Sequence, residues 1–298
     1  MKPASRLAQS RKERLPTRAV WMRSSHPTFE APISCVSQAA MLTRHAIGIG
    51  RWSLTVLSNL DPFASGAHGL ENRISVSRTL RSRVSIRAYT CEAPSIETVH
   101  EILDAARWSP SGGNMQPWKV IAVAGRARDE VCELARRTLA TNPAGEEGDY
   151  PVQSGEMHPR LRERRLITAQ QRYAVMGIER DDKVARAAWV ARNYDFWGAP
   201  VGLFFVTYRD LAHSQWAHLG MFIQSVVLVA EEKGLGSCVQ EAWAKVRESL
   251  RSHFGLPSEE MIYCGMALGY ADKSRSINAF RSTREPVTNL ATMLGFER

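Results

Sequence analysis

Nowhere in the 298 residues does an apolar run approach the roughly eighteen residues that a membrane-spanning helix needs. The greasiest stretch, Gly220 to Ala230, is short and contains Gln224, so no membrane partner is expected. Cysteine is sparse: Cys35, Cys91, Cys132, Cys238 and Cys264 are scattered and odd in number, which excludes both a secreted disulfide framework and the paired spacing of a zinc site. A reducing, cytoplasmic setting follows. The histidines form no HExxH pair, so a metal centre is not expected. A complete G-x-G-x-x-G fingerprint is missing too, because Gly48-Ile-Gly50 has neither the third glycine nor a strand before it, and a Rossmann dinucleotide crevice drops out.

Acid is scarce at one end only. The formal net charge is +9, but residues 1–60 hold Lys2, Lys12 and seven arginines against Glu13 and Glu30, a local balance of +7 that leaves about +2 for the rest. This Arg/Ser-rich arm has no steady helical or strand period and no compact apolar stretch after its basic start, so a secretory signal is disfavoured. It fits a transit peptide, an RNA-binding or membrane-touching tail, or translated sequence ahead of a later start at Met22 or Met41. Residues 1–75 therefore read as a basic extension, disordered or missing from the mature protein, because so polar a chain buries too little apolar area to offset its ordering entropy. A basic nucleic-acid-binding protein is the reading from a different class; with the charge confined to the arm, no nucleic-acid partner is expected.

From residue 80 the texture is regular. Ser95 is placed to cap a helix over about 96–107, whose apolar residues Val99, Ile102, Leu103 and Ala106 recur at helical spacing. Strands are expected at 118–123, 201–208, 237–240 and 261–268, with helices at 214–233 and near 244–253. The helix at 214–233 is apolar almost all round and must be buried on every side, within the fold or against a second subunit. The charged stretch 126–195 reads as a helix at 127–139, a loop over 141–155 and two helices split near Gly177. It is either a solvated decoration or a lid whose Tyr173, Trp189, Tyr194, Phe196 and Trp197 suit flat substrates. Arg160, Arg162, Arg164 and Arg165 make either a wet helix face or a bias toward anionic aromatics. The economical assembly is α+β, with helices covering one mixed sheet.

Two segments carry chemistry. In Arg83-Val84-Ser85-Ile86-Arg87, an extended backbone aims two guanidinium groups and a hydroxyl to one side, as a doubly charged phosphate monoester requires. Alone, such a segment is also a common solvated face. In Ser109-Pro-Ser-Gly-Gly-Asn-Met-Gln-Pro-Trp118, Ser111 and Gly112 sit in a loop whose glycines let backbone N–H groups approach a ligand. Asn114 and Gln116 each offer a donor and an acceptor, matching the edge of a flavin pyrimidine ring; the bland alternative is a turn whose amides bond to backbone.

With these segments, residues 80–298 resemble the FMN-dependent nitroreductase family. The further motifs are Phe196-Trp-Gly-Ala-Pro200, Gly234-Leu-Gly236, Gln240-Glu-Ala-Trp243, Gly269-Tyr-Ala-Asp272 and Arg281-Ser-Thr-Arg-Glu-Pro286. The resemblance implies a nitroreductase-like fold over 76–298, a mixed and mainly antiparallel sheet covered by helices, with a helical lid insert at about 126–195. It implies a homodimer with FMN sites built across the subunit interface, in which Arg83, Ser85, Arg87 and Arg284 hold the phosphate and Asn114 and Gln116 hold the ring. Gln240, Glu241 and Ala242 would lie beside the flavin and place a backbone N–H near its N5. Val239 stands where relatives often have proline. The implied activity is NAD(P)H-dependent reduction of nitroaromatic, nitrobenzoate-like or quinone-like acceptors by ping-pong hydride transfer through the flavin, with NADH or NADPH as co-substrate and no catalytic side chain. Other flavin chemistry on the same scaffold, reductive dehalogenation or flavin fragmentation, is the alternative.

Overall fold

A strand that is apolar on both faces belongs in the middle of a sheet covered on both sides. The chain builds around such a strand, Val201–Tyr208, which is buried from Val201 to Thr207. The computed structural model describes residues 75–151 and 155–296, so the expectation for residues 1–74 of the arm lies outside the described residues. Its sheet comprises β1 (Lys119–Ala124), β2 (Val201–Tyr208), β3 (Gly236–Gln240) and β4 (Glu260–Gly269), in the order β1-β2-β4-β3 with every pairing antiparallel. One parallel bridge, Ser85 to Ser237, lays the segment around residues 83–87 along β3 and makes the sheet mixed.

Two helices cover one face, α2 (Ile96–Ala106) and α6 (His213–Glu232), packed on Val201, Leu203, Phe205, Cys264, Met266 and Leu268. Thr98 N–H donates to Ser95 Oγ at 3.1 Å, the cap expected for α2. The other face carries α3 (Gly125–Thr141), α5 (Lys183–Ala191), α7 (Arg247–His253) and the 3-10 turns Arg192–Gly198 and Glu241–Val246. These bring Trp189, Phe196, Trp197 and Trp243 onto Phe204, Val206, Ile262 and Ala267. A bulge between Phe205 and Val206 lets Phe205 pair with Cys264 while Val206 pairs with Ile262, which keeps each strand's two faces in step.

Three shorter or more peripheral helices complete the body: α1 (Val76–Ser82), α4 (Pro159–Val175) and α8 (Ser276–Ala279). Gly177, at φ 65°, separates α4 from α5, as its position in sequence predicts. One expectation changes. The helix expected near 244–253 starts as the 3-10 turn and becomes α only at Arg247. Within this chain α6 buries one face, through Leu219, Phe222, Ile223, Val226, Val227 and Ala230, while Met221 remains 47% exposed. Composition alone could not show that the sheet covers only one side of it.

Close packing fixes the aromatic side. Phe196 and Trp197 adopt φ values of 53° and 59°, a left-handed conformation that bulky residues rarely take. The Phe196 ring is seated on Gly202, where an added Cβ would lie 2.3 Å from its Cζ. Gly202→Ala is expected to lower stability by about 1–3 kcal/mol through overpacking. Urea unfolding checks this, and an unchanged midpoint would contradict the packing.

Candidate functional site

Alternation along residues 83–87 divides the segment's side chains. Ile86 is buried beside β3, whereas Arg83, Ser85 and Arg87 line a cleft of about 430 Å³. Arg284, from the segment after α8, lines the same cleft, so four of the predicted site residues come together although they are separated by some 200 positions. Arg81, Arg281 and Arg172 complete a wall that holds six arginines and no carboxylate. Motif reading passed over Arg172, because it lies in α4 with no pattern around it; only the arginine density of 160–172 hinted at it.

The cleft's electrostatics are unbalanced. Arg83 Nε and Arg172 Nε are buried without a hydrogen-bond partner among the described residues, and a buried charged donor left unpaired is costly. Burial first, then the charge of Arg87, pulls the Arg172 pKa below its usual value. The Cys238 thiol lies close enough for Arg87, Arg172 and Arg83 to pull its pKa down, but burial outweighs them and pushes it up, keeping it neutral. An anion with several acceptor oxygens is what this donor set fits.

Backbone bonds hold the segment in place. Ile86 N–H donates to Ser237 O at 3.0 Å, and a Cβ on Gly236 would stand 2.5 Å from Ile86 Cγ1, so only glycine allows the approach. Asn278 acts as a clamp: its Oδ1 accepts from Arg87 N–H at 2.8 Å, and its Nδ2 donates to Ala88 O at 2.7 Å and to Asp272 O at 2.9 Å. Arg281 donates to Arg81 O at 2.7 Å and Ser82 O at 2.8 Å, tying the segment after α8 to the end of α1. Arg284 Nη1 is held by Ser282 Oγ at 2.6 Å.

The amide-bearing loop lies elsewhere. Ser111, Gly112, Asn114 and Gln116 are not part of that wall; the loop meets α6 at Gly112, whose N–H donates to His218 Nε2 at 3.3 Å. The loop is sharply bent, with Gly113, Asn114 and Gln116 at φ 61°, 54° and 48°. Ser111 Oγ accepts from Gln116 N–H at 3.0 Å, and Gln116 Nε2 donates to Asn114 O at 3.1 Å. The bland turn reading thus holds for Ser111 and for the Gln116 donor, while both amide-bearing residues stay exposed.

At the end of β3, Gln240 is buried, and its side chain is spent on Asn193 O at 2.8 Å and Trp243 Nε1 at 3.3 Å. Its side-chain amide is thus taken up within the protein. Glu241 is exposed, and Ala242 O accepts from Tyr194 Oη at 3.1 Å. As the first residues of a 3-10 turn, Glu241 and Ala242 present N–H groups with no partner inside the turn.

The model of the Nitroreductase family matches residues 80–270. The chain is 31% identical over 220 residues to a 4-nitrobenzoate reductase of Pseudomonas putida, a match covering 73% of this chain and 94% of that protein. It is 32% identical over 215 residues to a nitrobenzene nitroreductase of Ectopseudomonas oleovorans, covering 72% and 95%. Among solved structures, the FMN and NADPH-dependent nitroreductase NfnB from Sphigopyxis sp. strain HMH is similar with a TM-score of 0.72 at 33% identity, over 74% of this chain and 100% of that one. The FMN-dependent nitroreductase NfnB from Mycobacterium smegmatis in complex with NADPH reaches 0.69 at 26% identity, over 74% and 97%.

Asn278→Ala strips the acceptor from Arg87 N–H and the donor from Ala88 O. It is expected to cost about 1–3 kcal/mol of stability and to free the arginine segment from its register. Denaturant unfolding together with amide exchange at residues 85–89 measures both effects; unaltered exchange there would show that Asn278 is not the clamp.

Proposed function

The chain belongs to the nitroreductase family, and on that premise we propose that it is an FMN-dependent NAD(P)H oxidoreductase acting on nitroaromatic or quinone-like acceptors. The observation that carries this reading is the cleft of six arginines without a carboxylate, whose buried, unpaired guanidinium nitrogens call for an anion. A phosphate monoester close to doubly charged fits: Arg83, Arg87 and Arg284 supply forked charged donors and Ser85 a hydroxyl. Bound there, FMN would supply two-electron hydride chemistry between NADH or NADPH and the acceptor, in the alternate half-reactions of a ping-pong cycle.

The protein's own residues bind and orient. Asn114 and Gln116 would hold the ring edge, the N–H groups of Glu241 or Ala242 would serve the reactive nitrogen, and Gln240 shapes that turn. Because the amide loop is not part of its own chain's arginine cleft, the complete site is one chain's cleft joined by its partner's loop in a homodimer. The open side of α6, where Met221 is exposed, supports such an interface. Residues 76–298 form the catalytic domain; of the lid expected at 126–195, Trp189, Tyr194, Phe196 and Trp197 are buried in the core together with Val131 and Cys132 of α3, which leaves α4, with the half-buried Tyr173, as the lid. Among the described residues the four cysteines are free, in agreement with a reducing cytoplasm, and no helix is long and apolar enough to cross a membrane.

The purified protein should be yellow, bleach with NADH or NADPH and recover its colour with a nitroaromatic; a colourless chain that takes up no FMN would overturn the reading. A mixing experiment tests the shared site. Arg83→Ala with Arg284→Ala in one chain, and Asn114→Ala with Gln116→Ala in the other, should each reduce activity strongly, and co-refolded mixtures should regain part of it. No recovery in mixed dimers would place cleft and loop in the same chain's site.

A further inference from the structure

α4 is anchored weakly for its length. None of its residues is buried. Tyr173, just before its end, packs partly against the core beneath Arg186, whose guanidinium lies 4.7 Å from the ring centre. The polar ties to the segments around α8 are few: Arg164 pairs with Glu285 at 2.7 Å, and Ser276 Oγ donates to Val175 O at 3.3 Å. Yet the last turn of α4 pushes Arg172 into the cleft already lined by Arg83, Arg87 and Arg284, and its Nε is buried there with no partner among the described residues. A charged group brought next to like charges and out of water opposes docking of the helix that carries it. A dianion between the guanidinium groups reverses the sign, since each then gains a charged hydrogen bond.

We infer that Arg172 is a ligand of the cofactor phosphate and that the phosphate itself docks α4 onto the body of the protein. The inference deepens the proposed function and rests on the arginine cleft being the phosphate site. The anion does two jobs, holding the flavin and closing α4, the lid helix itself. Arg160, Arg162 and Arg165 are exposed on the same helix and share none of this geometry.

The test compares FMN with riboflavin, which lacks the phosphate. Flavin fluorescence quenching gives both affinities for the wild type, Arg172→Gln and Arg172→Lys, and hydrogen exchange follows residues 159–175 with and without FMN. Arg172→Gln should weaken FMN by roughly 10- to 100-fold while leaving riboflavin unchanged, and Arg172→Lys should restore part of the loss. FMN should slow exchange in α4 of the wild type but not in Arg172→Gln. Unchanged FMN affinity, or equal weakening of FMN and riboflavin, would overturn the inference while leaving the cleft's assignment intact. A wild type that binds both flavins equally would remove the phosphate assignment and this inference with it.

Discussion

The pairing of one extended segment with the edge of β3 is the interaction on which the rest of the molecule's chemistry depends. The bridge from Ser85 to Ser237 and the Ile86 N–H bond fix which way residues 83–87 face. Gly236 makes the approach possible by giving Ile86 room. A slip of one residue would bury the arginines and expose Ile86, so register and charge placement are a single constraint. Asn278 locks that register from the opposite side by serving both Arg87 and Ala88.

Once the register is set, a cluster of like charges follows. The segment around residue 83 supplies part of it, the last turn of α4 another part, and the stretch after α8 the remainder. No acid lines the wall, so the folded chain carries a repulsion that ordinary packing does not remove. The aromatic layer beneath tolerates the strain: the Arg87 guanidinium lies 5.9 Å from the ring centre of Trp197, which is itself held in a left-handed turn. Fold and site are thus linked through opposite demands, apolar closeness on one side of the segment and unpaired charge on the other.

Much of this was legible in sequence because the signals were local. The Ser95 cap, the continuous apolar run of β2 and the glycine before α5 each announce an element through a short-range physical preference. Alternation in residues 83–87 predicted the shared direction of Arg83, Ser85 and Arg87, and the family motifs pointed to Arg284. What sequence could not give was long-range pairing. Arg172 has no motif, Asn278 is one amide among many, and nothing local shows that the Gln240 side chain is taken up by Asn193 and Trp243. The apolar girth of α6 likewise predicted burial without saying which surface would cover it.

A crystal structure of the flavin-loaded protein tests the central claim most directly. The account predicts the phosphate within about 2.7–3.2 Å of donors on Arg83 and Arg284, with the partner subunit's amide loop over the ring. A phosphate bound outside the arginine cleft would contradict it.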